Sequence, residues 1–341
     1  MTTPPPFDPE LAVALGARPE LVVTSLAPAD IPALRRQAVE PDRDAVTRGG
    51  WFAATTHAAP GALGAPDVPV LMLRPATVRT PVPCLVHLHG GGLITGGRYD
   101  DVGPVAELAA AVGCAVASIE YRLAPEHPYP AAVDDAFAAL SWLAADAVRL
   151  GIDPDRVVLH GISAGGGLAA ATALLARDRG GPPVLGQLLV CPMLDDRDGS
   201  PSARQMAGRG AWDRTANATA WGAYLGDVAG GPGVPAYAAP ARATDLSGLP
   251  PAFLDVGSAE TFRDEVVRYA DRLWSAGGDA ELHVWPGGFH GFDHFAPEAA
   301  VSRDARHARR QWLARLLGRA PGSRPGAEPV GEAAGRVARA G

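Results

Sequence analysis

The stretch Val157-Val158-Leu159-His160-Gly161-Ile162-Ser163-Ala164-Gly165-Gly166-Gly167 decides the fold of this chain. It begins as a β-branched run typical of a buried strand and continues into an Ala/Leu-rich helical pattern. Between the two lies a GxSxG turn, in which the glycines remove clashing β-carbons and the serine is exposed at the strand end. A bare GxSxG arises by chance about 0.16 times at these Gly and Ser frequencies, so the inference depends on the strand-to-helix setting. We therefore predict that Ser163 is a nucleophile.

Strands and helices alternate on both sides of this turn. The strand candidates are Val68–Arg74, Cys84–His89, Ala115–Tyr121, Val157–Gly161, Gln187–Cys191, Pro251–Asp255 and Glu281–Trp285. The helix candidates are Val102–Val112, Ala131–Asp146, Gly165–Arg179, Asp264–Ala276 and Arg303–Leu317. Such alternation predicts an α/β fold with a mostly parallel central sheet, and strands without polar alternation predict that helices flank both of its faces.

Three segments do not follow this alternation of strands and helices. Residues 1–50 carry helical patterns (Pro9–Leu15, Ala29–Val39), and residues 195–245 are rich in Gly, Pro and Asp. We predict that both form a helical cap on a catalytic domain spanning residues 51–318. Residues 319–341 lack periodicity and are predicted to be a disordered tail. The aromatic residues of the cap segments suggest an apolar pocket, although packing explains them equally well: Phe7, Trp212, Trp221 and Tyr224.

A second glycine motif, His89-Gly90-Gly91-Gly92, directly follows the strand Cys84–His89. Acyl transfer passes through an oxyanion, which backbone N–H groups stabilise where no side chain intrudes. Consecutive glycines after a strand allow that approach. A phosphate-binding loop is excluded, because Arg98-Tyr99 follows where Lys and Ser/Thr are needed. His89 itself is predicted to fix the loop through a hydrogen bond, with no acid or base role.

A serine nucleophile needs a base and an acid that orients the base. His290 lies in the glycine-flanked loop Gly287–Phe292 after the last predicted strand, the position expected of the base. The acid is less constrained by the sequence, since Asp255, Glu260 and Asp264 all follow the strand Pro251–Asp255. Glu260 lies in the loop proper, whereas Asp264 suits a helix N-terminus. All three acids stay open at this point.

With these motifs in place, the chain resembles the hormone-sensitive-lipase-like family of esterases, bacterial family IV, over residues 50–318. The matching motifs are His89-Gly90-Gly91-Gly92, Tyr121-Arg122-Leu123-Ala124-Pro125-Glu126-His127-Pro128-Tyr129-Pro130-Ala131-Ala132 and Ser163-Ala164-Gly165-Gly166. The resemblance implies an α/β-hydrolase fold, with the backbone N–H groups of Gly91, Gly92 and Ala164 as the oxyanion hole.

The resemblance also selects an acid, because the family's acid-bearing stretch aligns with residues 260–265. It implies a triad of Ser163, Glu260 and His290, with Glu in place of the more usual Asp. Ile162 is a departure, since the family usually has Asp before the nucleophile. In the Tyr121–Ala132 block, Arg122, Glu126 and His127 are predicted to form buried ion pairs and turns near the site.

Composition and charge exclude several classes of function. A net charge of −7 argues against a nucleic-acid partner, which needs a basic face. No signal peptide is visible, and the longest near-apolar run, Leu108–Ile119, is too short for a membrane span. Cys84, Cys114 and Cys191 have no CxxC spacing and are interpreted as buried thiols of a cytoplasmic protein. His294 follows His290 without a third ligand of suitable spacing, so we expect neither a metal nor another cofactor.

The sequence therefore predicts a serine carboxylesterase that acts on small to medium acyl esters through an acyl-enzyme. The partner is a small-molecule ester, and the resemblance also implies a homodimer. Two alternatives stay open: a non-hydrolytic sensor of a small ligand on the same fold, and an acyl transferase or dehydratase that uses the same site. An altered glycine in the oxyanion loop would favour dehydration, and this chain keeps all three.

Overall fold

The computed structural model describes residues 3–35 and 42–318. The predicted tail, residues 319–341, and the end of the predicted helix Ala29–Val39 lie outside the described residues. The predicted start of that helix is a 3₁₀ turn, Pro28–Asp30, followed by a short α-helix.

The strands form one sheet in the order β1-β2-β4-β3-β5-β6-β7-β8. They are β1 Phe52–Ala59, β2 Val68–Pro75, β3 Val82–Leu88, β4 Ala115–Ile119, β5 Ile152–Ile162, β6 Gly186–Val190, β7 Ala252–Gly257 and β8 Ala280–Trp285. β1 pairs antiparallel with β2, and β2 pairs antiparallel with β4. All other pairs are parallel, which confirms the predicted mostly parallel sheet.

The α-helices of the described residues lie before, between and after these strands. They are α1 Pro9–Ala17, α2 Ile31–Arg35, α3 Arg43–Thr47, α4 Val102–Val112, α5 Ala131–Ala145, α6 Ala147–Leu150, α7 Ala164–Arg179, α8 Pro201–Gln205, α9 Arg214–Leu225, α10 Arg263–Ser275, α11 Phe292–Phe295 and α12 Ala300–Gly318. Helices α5, α7 and α10 pack on one face of the sheet, and α4 and α12 pack on the other.

Each central strand contributes side chains to both cores. In β3, Cys84, Val86 and Leu88 join the core beneath α5 and α7, whereas Leu85 joins the core beneath α4 and α12. Successive side chains of a strand point to opposite faces, so a sheet that is covered twice needs an unbroken apolar run. The sequence of this strand supplies such a run except at His87, and every one of its residues is buried.

The sequence prediction missed β1, the edge strand. Its sequence Phe52-Ala53-Ala54-Thr55-Thr56-His57-Ala58-Ala59 is buried only at its two ends. A strand that pairs on one side and faces solvent does not need the apolar run by which the inner strands were found. The helices α5 and α3 pack against it.

Both predicted cap segments contain helices, and they contact each other. The N–H of Val23 donates to the carbonyl of Ala211 at 2.7 Å, which joins the N-terminal segment to the insertion. The buried carboxylate of Asp213 strengthens this junction by accepting hydrogen bonds from the N–H groups of Ser25, Gly208 and Ala216. Helix α3, within the predicted segment 1–50, instead packs on α4 and β1.

Candidate active site

The GxSxG turn joins β5 to α7 and holds Ser163 in a strained conformation. Ser163 has φ 58° and ψ −121°, outside the regions that an L-residue ordinarily adopts. Its N–H donates to the carbonyl of Val190 at 2.8 Å, and its carbonyl accepts from Met193 N–H at 2.9 Å. A β-carbon at Gly161 or at Gly165 would lie 2.0 Å from a backbone oxygen. The close approach of β5, α7 and β3 therefore requires both glycines.

Ser163, His290 and Glu260 form one hydrogen-bonded row. The Nε2 atom of His290 lies 2.9 Å from Ser163 Oγ, and its Nδ1 atom lies 2.6 Å from Glu260 Oε1. The second oxygen of Glu260 accepts the N–H of Gly257 at 2.9 Å. Glu260 is 1% exposed, and the edge of Phe262 meets the imidazole ring at 5.1 Å between centroids. The carboxylate and the ring are thus held in fixed orientations, with little water around them.

The other two candidate acids are committed to other partners. Asp264 accepts the N–H of Ser202 and pairs with Arg263 at the start of α10. The buried Asp255 accepts from the guanidinium of Arg309 at 2.8 Å and from the indole of Trp285 at 3.0 Å. Among the three acids that the sequence left open, only Glu260 bonds to His290 in the structure.

The glycine loop after β3 lies beside the nucleophile. A β-carbon placed at Gly90 would be 3.6 Å from Ser163 Cβ. Within residues 3–35 and 42–318, the N–H groups of Gly91, Gly92 and Ala164 have no hydrogen-bond acceptor. These are the donors that the family resemblance implied, and they are free to bind an oxygen of a bound substrate.

The side chain of His89 holds the glycine loop in place. Its Nδ1 atom lies 2.7 Å from the carbonyl oxygen of Gly90, and its ring stacks on Tyr121 at 4.1 Å between centroids. Burial lowers the pKa of His89 to about 4, an effect that the hydrogen bond to Gly90 only partly offsets. The imidazole is therefore neutral near pH 7, as suits the loop-fixing role predicted for it.

The Tyr121–Ala132 block holds two ion pairs of different kinds. Arg122 binds both carboxylate oxygens of Asp135, whose side chain is 2% exposed, so this pair is at the edge of the core. The expectation of buried ion pairs is wrong for Glu126, whose side chain is 57% exposed, and for His127, which is also exposed. Its partner is Arg35 of α2, which reaches over from the N-terminal segment and also donates to the carbonyl of Ala124.

Sequence reasoning did not find the residues that join the insertion, residues 195–245, to the site. The indole of Trp212 packs against Gly92, where an added β-carbon would lie 2.8 Å from Trp212 Cη2. Thr261, the neighbour of Glu260, donates its hydroxyl to the carbonyl of Trp212 at 2.8 Å. The hydroxyl of Ser202 donates to the carbonyl of Thr261 at 2.9 Å. No local sequence pattern marks these contacts, because each depends on the folded path of the insertion.

One group of side chains in the described part of the chain has the composition of a metal site. Cys191, Glu260 and His290 place a thiol, a carboxylate oxygen and an imidazole nitrogen within 4.8 Å of one another. Elsewhere, Cys84 and Cys114 are buried and free. None of the helices within residues 3–35 and 42–318 is long and apolar enough to cross a bilayer.

The sheet, the strained serine and its neighbours define a protein of the serine-hydrolase class, and comparisons with known proteins specify the family. A family description, the alpha/beta hydrolase fold, matches residues 85–294. The chain belongs to this family, in its hormone-sensitive-lipase-like branch. This finding confirms the resemblance and the fold that were predicted from the sequence.

Two curated relatives come from Mycobacterium tuberculosis. Carboxylesterase NlhH is 43% identical over 246 residues, which are 71% of this chain and 76% of the relative. Esterase LipI is 38% identical over 224 residues, which are 65% of this chain and 69% of the relative.

Two solved structures are similar over nearly their whole length. A bacterial heroin esterase has a TM-score of 0.82 at 39% identity, covering 91% of this chain and 98% of its own. Esterase LipW from Mycobacterium marinum has a TM-score of 0.82 at 35% identity, covering 93% of this chain and 99% of its own.

Proposed function

We propose that this protein is a serine carboxylesterase that hydrolyses small to medium acyl esters through an acyl-enzyme on Ser163. The enzyme class is supported by its relatives, which include a carboxylesterase and several esterases. The catalytic assignment rests on one observation, the row Ser163–His290–Glu260 beside the free N–H groups of the glycine loop.

Acylation begins with proton transfer from Ser163 Oγ to His290 Nε2 as the oxygen attacks the ester carbonyl carbon. Glu260 accepts a hydrogen bond from Nδ1–H, which keeps Nε2 free as the proton acceptor and stabilises the imidazolium that forms. The N–H groups of Gly91, Gly92 and Ala164 donate to the oxyanion. The bond to the alcohol oxygen then breaks, and His290 gives its proton to that oxygen.

Deacylation repeats the same steps with water. His290 removes a proton from the water, which attacks the acyl carbon, and the bond to Ser163 Oγ breaks as the proton returns to the serine. The products are the carboxylic acid and the free enzyme. Apart from water, these steps use only groups of the chain.

The size of the acyl group is inferred from the family resemblance and from the cap. Trp212 packs its ring on Gly92, so one wall next to the proposed oxyanion hole is aromatic and fixed. An apolar wall at that place favours an uncharged acyl or alcohol group over a charged one. The esterase names of the relatives give no support to a ligand sensor, an acyl transferase or a dehydratase.

The test is hydrolysis of p-nitrophenyl esters from acetyl to palmitoyl. We expect turnover to peak at short or medium chains and to fall by about 10⁶ in Ser163→Ala. Ser141→Ala is the matched control, because the Ser141 hydroxyl donates to the carbonyl of Phe137 within α5 and should not affect turnover. Mass spectrometry after reaction with a p-nitrophenyl alkylphosphonate, which loses p-nitrophenolate as Ser163 Oγ attacks phosphorus, should find the adduct on the peptide that contains Ser163. Near-normal turnover in Ser163→Ala would contradict the proposal.

A further inference from the structure

The side chain of Cys191 lies close to those of Glu260 and His290, yet the proposed reaction does not use it. It directly follows β6, has φ 38°, and donates its N–H to the carbonyl of Asp255 at 2.8 Å. The carbonyl of the preceding residue, Val190, accepts the N–H of Ser163. The backbone around Cys191 is therefore held on one side by the nucleophile turn and on the other by β7.

The thiol of Cys191 completes a set of three different metal-binding groups. Its sulfur, a carboxylate oxygen of Glu260 and a ring nitrogen of His290 all lie within 4.8 Å of one another. Thiolate, imidazole and carboxylate are the ligands that Zn²⁺ takes in proteins, at distances of about 2.0 to 2.3 Å. Tetrahedral ligation at those distances separates the ligand atoms by about 3.3 to 3.7 Å, so shifts of about 1 Å would complete the site.

We propose that Zn²⁺ and similar thiophilic divalent ions bind Cys191, Glu260 and His290, and that this binding switches the enzyme off. A water molecule would take the fourth position, as in sites with three protein ligands. The inhibitory effect rests on the proposed function, whereas the binding site itself does not.

Inhibition follows from the tautomer of His290. In the free site, Nδ1 carries the proton that bonds to Glu260, and Nε2 faces Ser163 Oγ. A metal ion on Nδ1 displaces that proton to Nε2, and a metal ion on Nε2 occupies its lone pair. In either case the ring no longer accepts a proton from Ser163. The thiol of Cys191 releases its own proton to solvent as it becomes the thiolate ligand.

The chain offers a matched control for the thiol. Cys114 is also buried and free, but it lies just before β4 in the core beneath α4 and α12. Across the described residues it belongs to no group of metal-binding side chains. Cys114→Ala removes the same chemical group from a place without the other two ligands.

Two measurements test the site, titration with Co²⁺ followed by absorbance and inhibition of ester hydrolysis by Zn²⁺. Wild type and Cys114→Ala should show a thiolate–cobalt band and reversible inhibition that EDTA removes. Cys191→Ala and Cys191→Ser should keep their hydrolysis, lose the band and require more than about 100-fold more Zn²⁺ for the same inhibition. The serine variant keeps the size of the side chain and thus checks for loss of packing.

The two readouts separate this proposal from the proposed function. Ser163→Ala should keep the cobalt band although it hydrolyses no ester, since Ser163 is not a ligand. A band without hydrolysis in wild type would leave the metal site intact and overturn the esterase mechanism. Inhibition of Cys191→Ala at the Zn²⁺ concentration that inhibits wild type, or a wild-type protein without the band, would overturn the metal site.

Discussion

At the scale of single residues, Glu260 and Asp264 provide a direct test of the acid. Glu260→Gln keeps the size of the side chain but removes the charge that stabilises the imidazolium and offers Nδ1 an amide, so we expect kcat to fall by about 10³ to 10⁴. Asp264→Asn should leave kcat within about twofold, because Asp264 bonds to Ser202 and Arg263 instead. Steady-state kinetics with one p-nitrophenyl ester measures both. Equal losses in the two variants would contradict the assignment of Glu260.

The three catalytic residues differ in how far the sequence alone identified them. Ser163 and His290 stood out because each has a distinctive local setting, a strand-to-helix turn and a glycine-flanked loop. The acid had no such setting, since Asp255, Glu260 and Asp264 follow one strand within a short span. The family resemblance selected Glu260, and the folded loop shows that its carboxylate reaches His290 while Arg309 and Ser202 bond to the other two acids.

His89 predicts a pH dependence of stability. Its pKa is about 4 in the folded protein, through burial, and about 6.5 in the unfolded chain. Between these values the unfolded chain binds a proton that the folded chain does not, so the free energy of unfolding falls as pH is lowered. From pH 7.5 to pH 5 the fall is about 2 kcal/mol for one such histidine.

Urea unfolding at these two pH values measures this contribution. His89→Gln should reduce the fall between pH 7.5 and pH 5 by about 2 kcal/mol relative to wild type. The buried His87 and His160, whose pKa values are also lowered by burial, are present in both proteins, so the difference reports on His89. An identical fall in the variant would show that His89 does not titrate in this window.

At the scale of elements, the glycine loop after β3 depends on the cap. Gly92 has φ +63°, and a β-carbon there would lie 2.8 Å from Trp212 Cη2. Gly92→Ala should displace the loop from its place beside Ser163, and we expect kcat to fall by about 10² to 10³. Gly103→Ala in α4 is the control, because its added carbon meets no atom within 4 Å. Comparable kcat losses in both variants would show that the loop position is not the cause.

Helices and strands could be predicted from the sequence where one pattern of apolar residues covers the whole element. The inner strands and the helices α4, α5, α7, α10 and α12 follow from unbroken apolar runs and helical periodicity. Edge strand β1 and helix α8 lack these signals, because β1 is buried only at its two ends and α8 spans only Pro201–Gln205. The Val23–Ala211 junction of the cap joins residues far apart in sequence, which local patterns do not encode.

At the scale of the whole molecule, Arg309 joins the last helix to the sheet and to the loop that carries His290. Its guanidinium, 9% exposed, pairs with Asp255 at the end of β7 and with Asp293 in α11. Arg309→Met leaves two carboxylates without their cation, so we expect a loss of about 3 to 5 kcal/mol in the free energy of unfolding.

The control is Arg315, which lies in the same helix and pairs with Glu281 at the surface. Arg315→Met should cost no more than about 1 kcal/mol, because solvent screens an exposed pair. Urea unfolding of both variants at pH 7 gives the comparison. Similar losses would mean that the Arg309 pairs are no stronger than those at the surface.

The hydrogen bonds of Thr261 restrict how esterases with this architecture exchange their parts. Trp212 and Ser202 of the insertion both bond to Thr261, the neighbour of Glu260. A grafted insertion therefore keeps the acid loop in place only if it supplies a hydroxyl at residue 202 and carries the backbone carbonyl of residue 212 along the same path. New specificity is thus more readily gained by single substitutions within the insertion than by exchanging the whole segment.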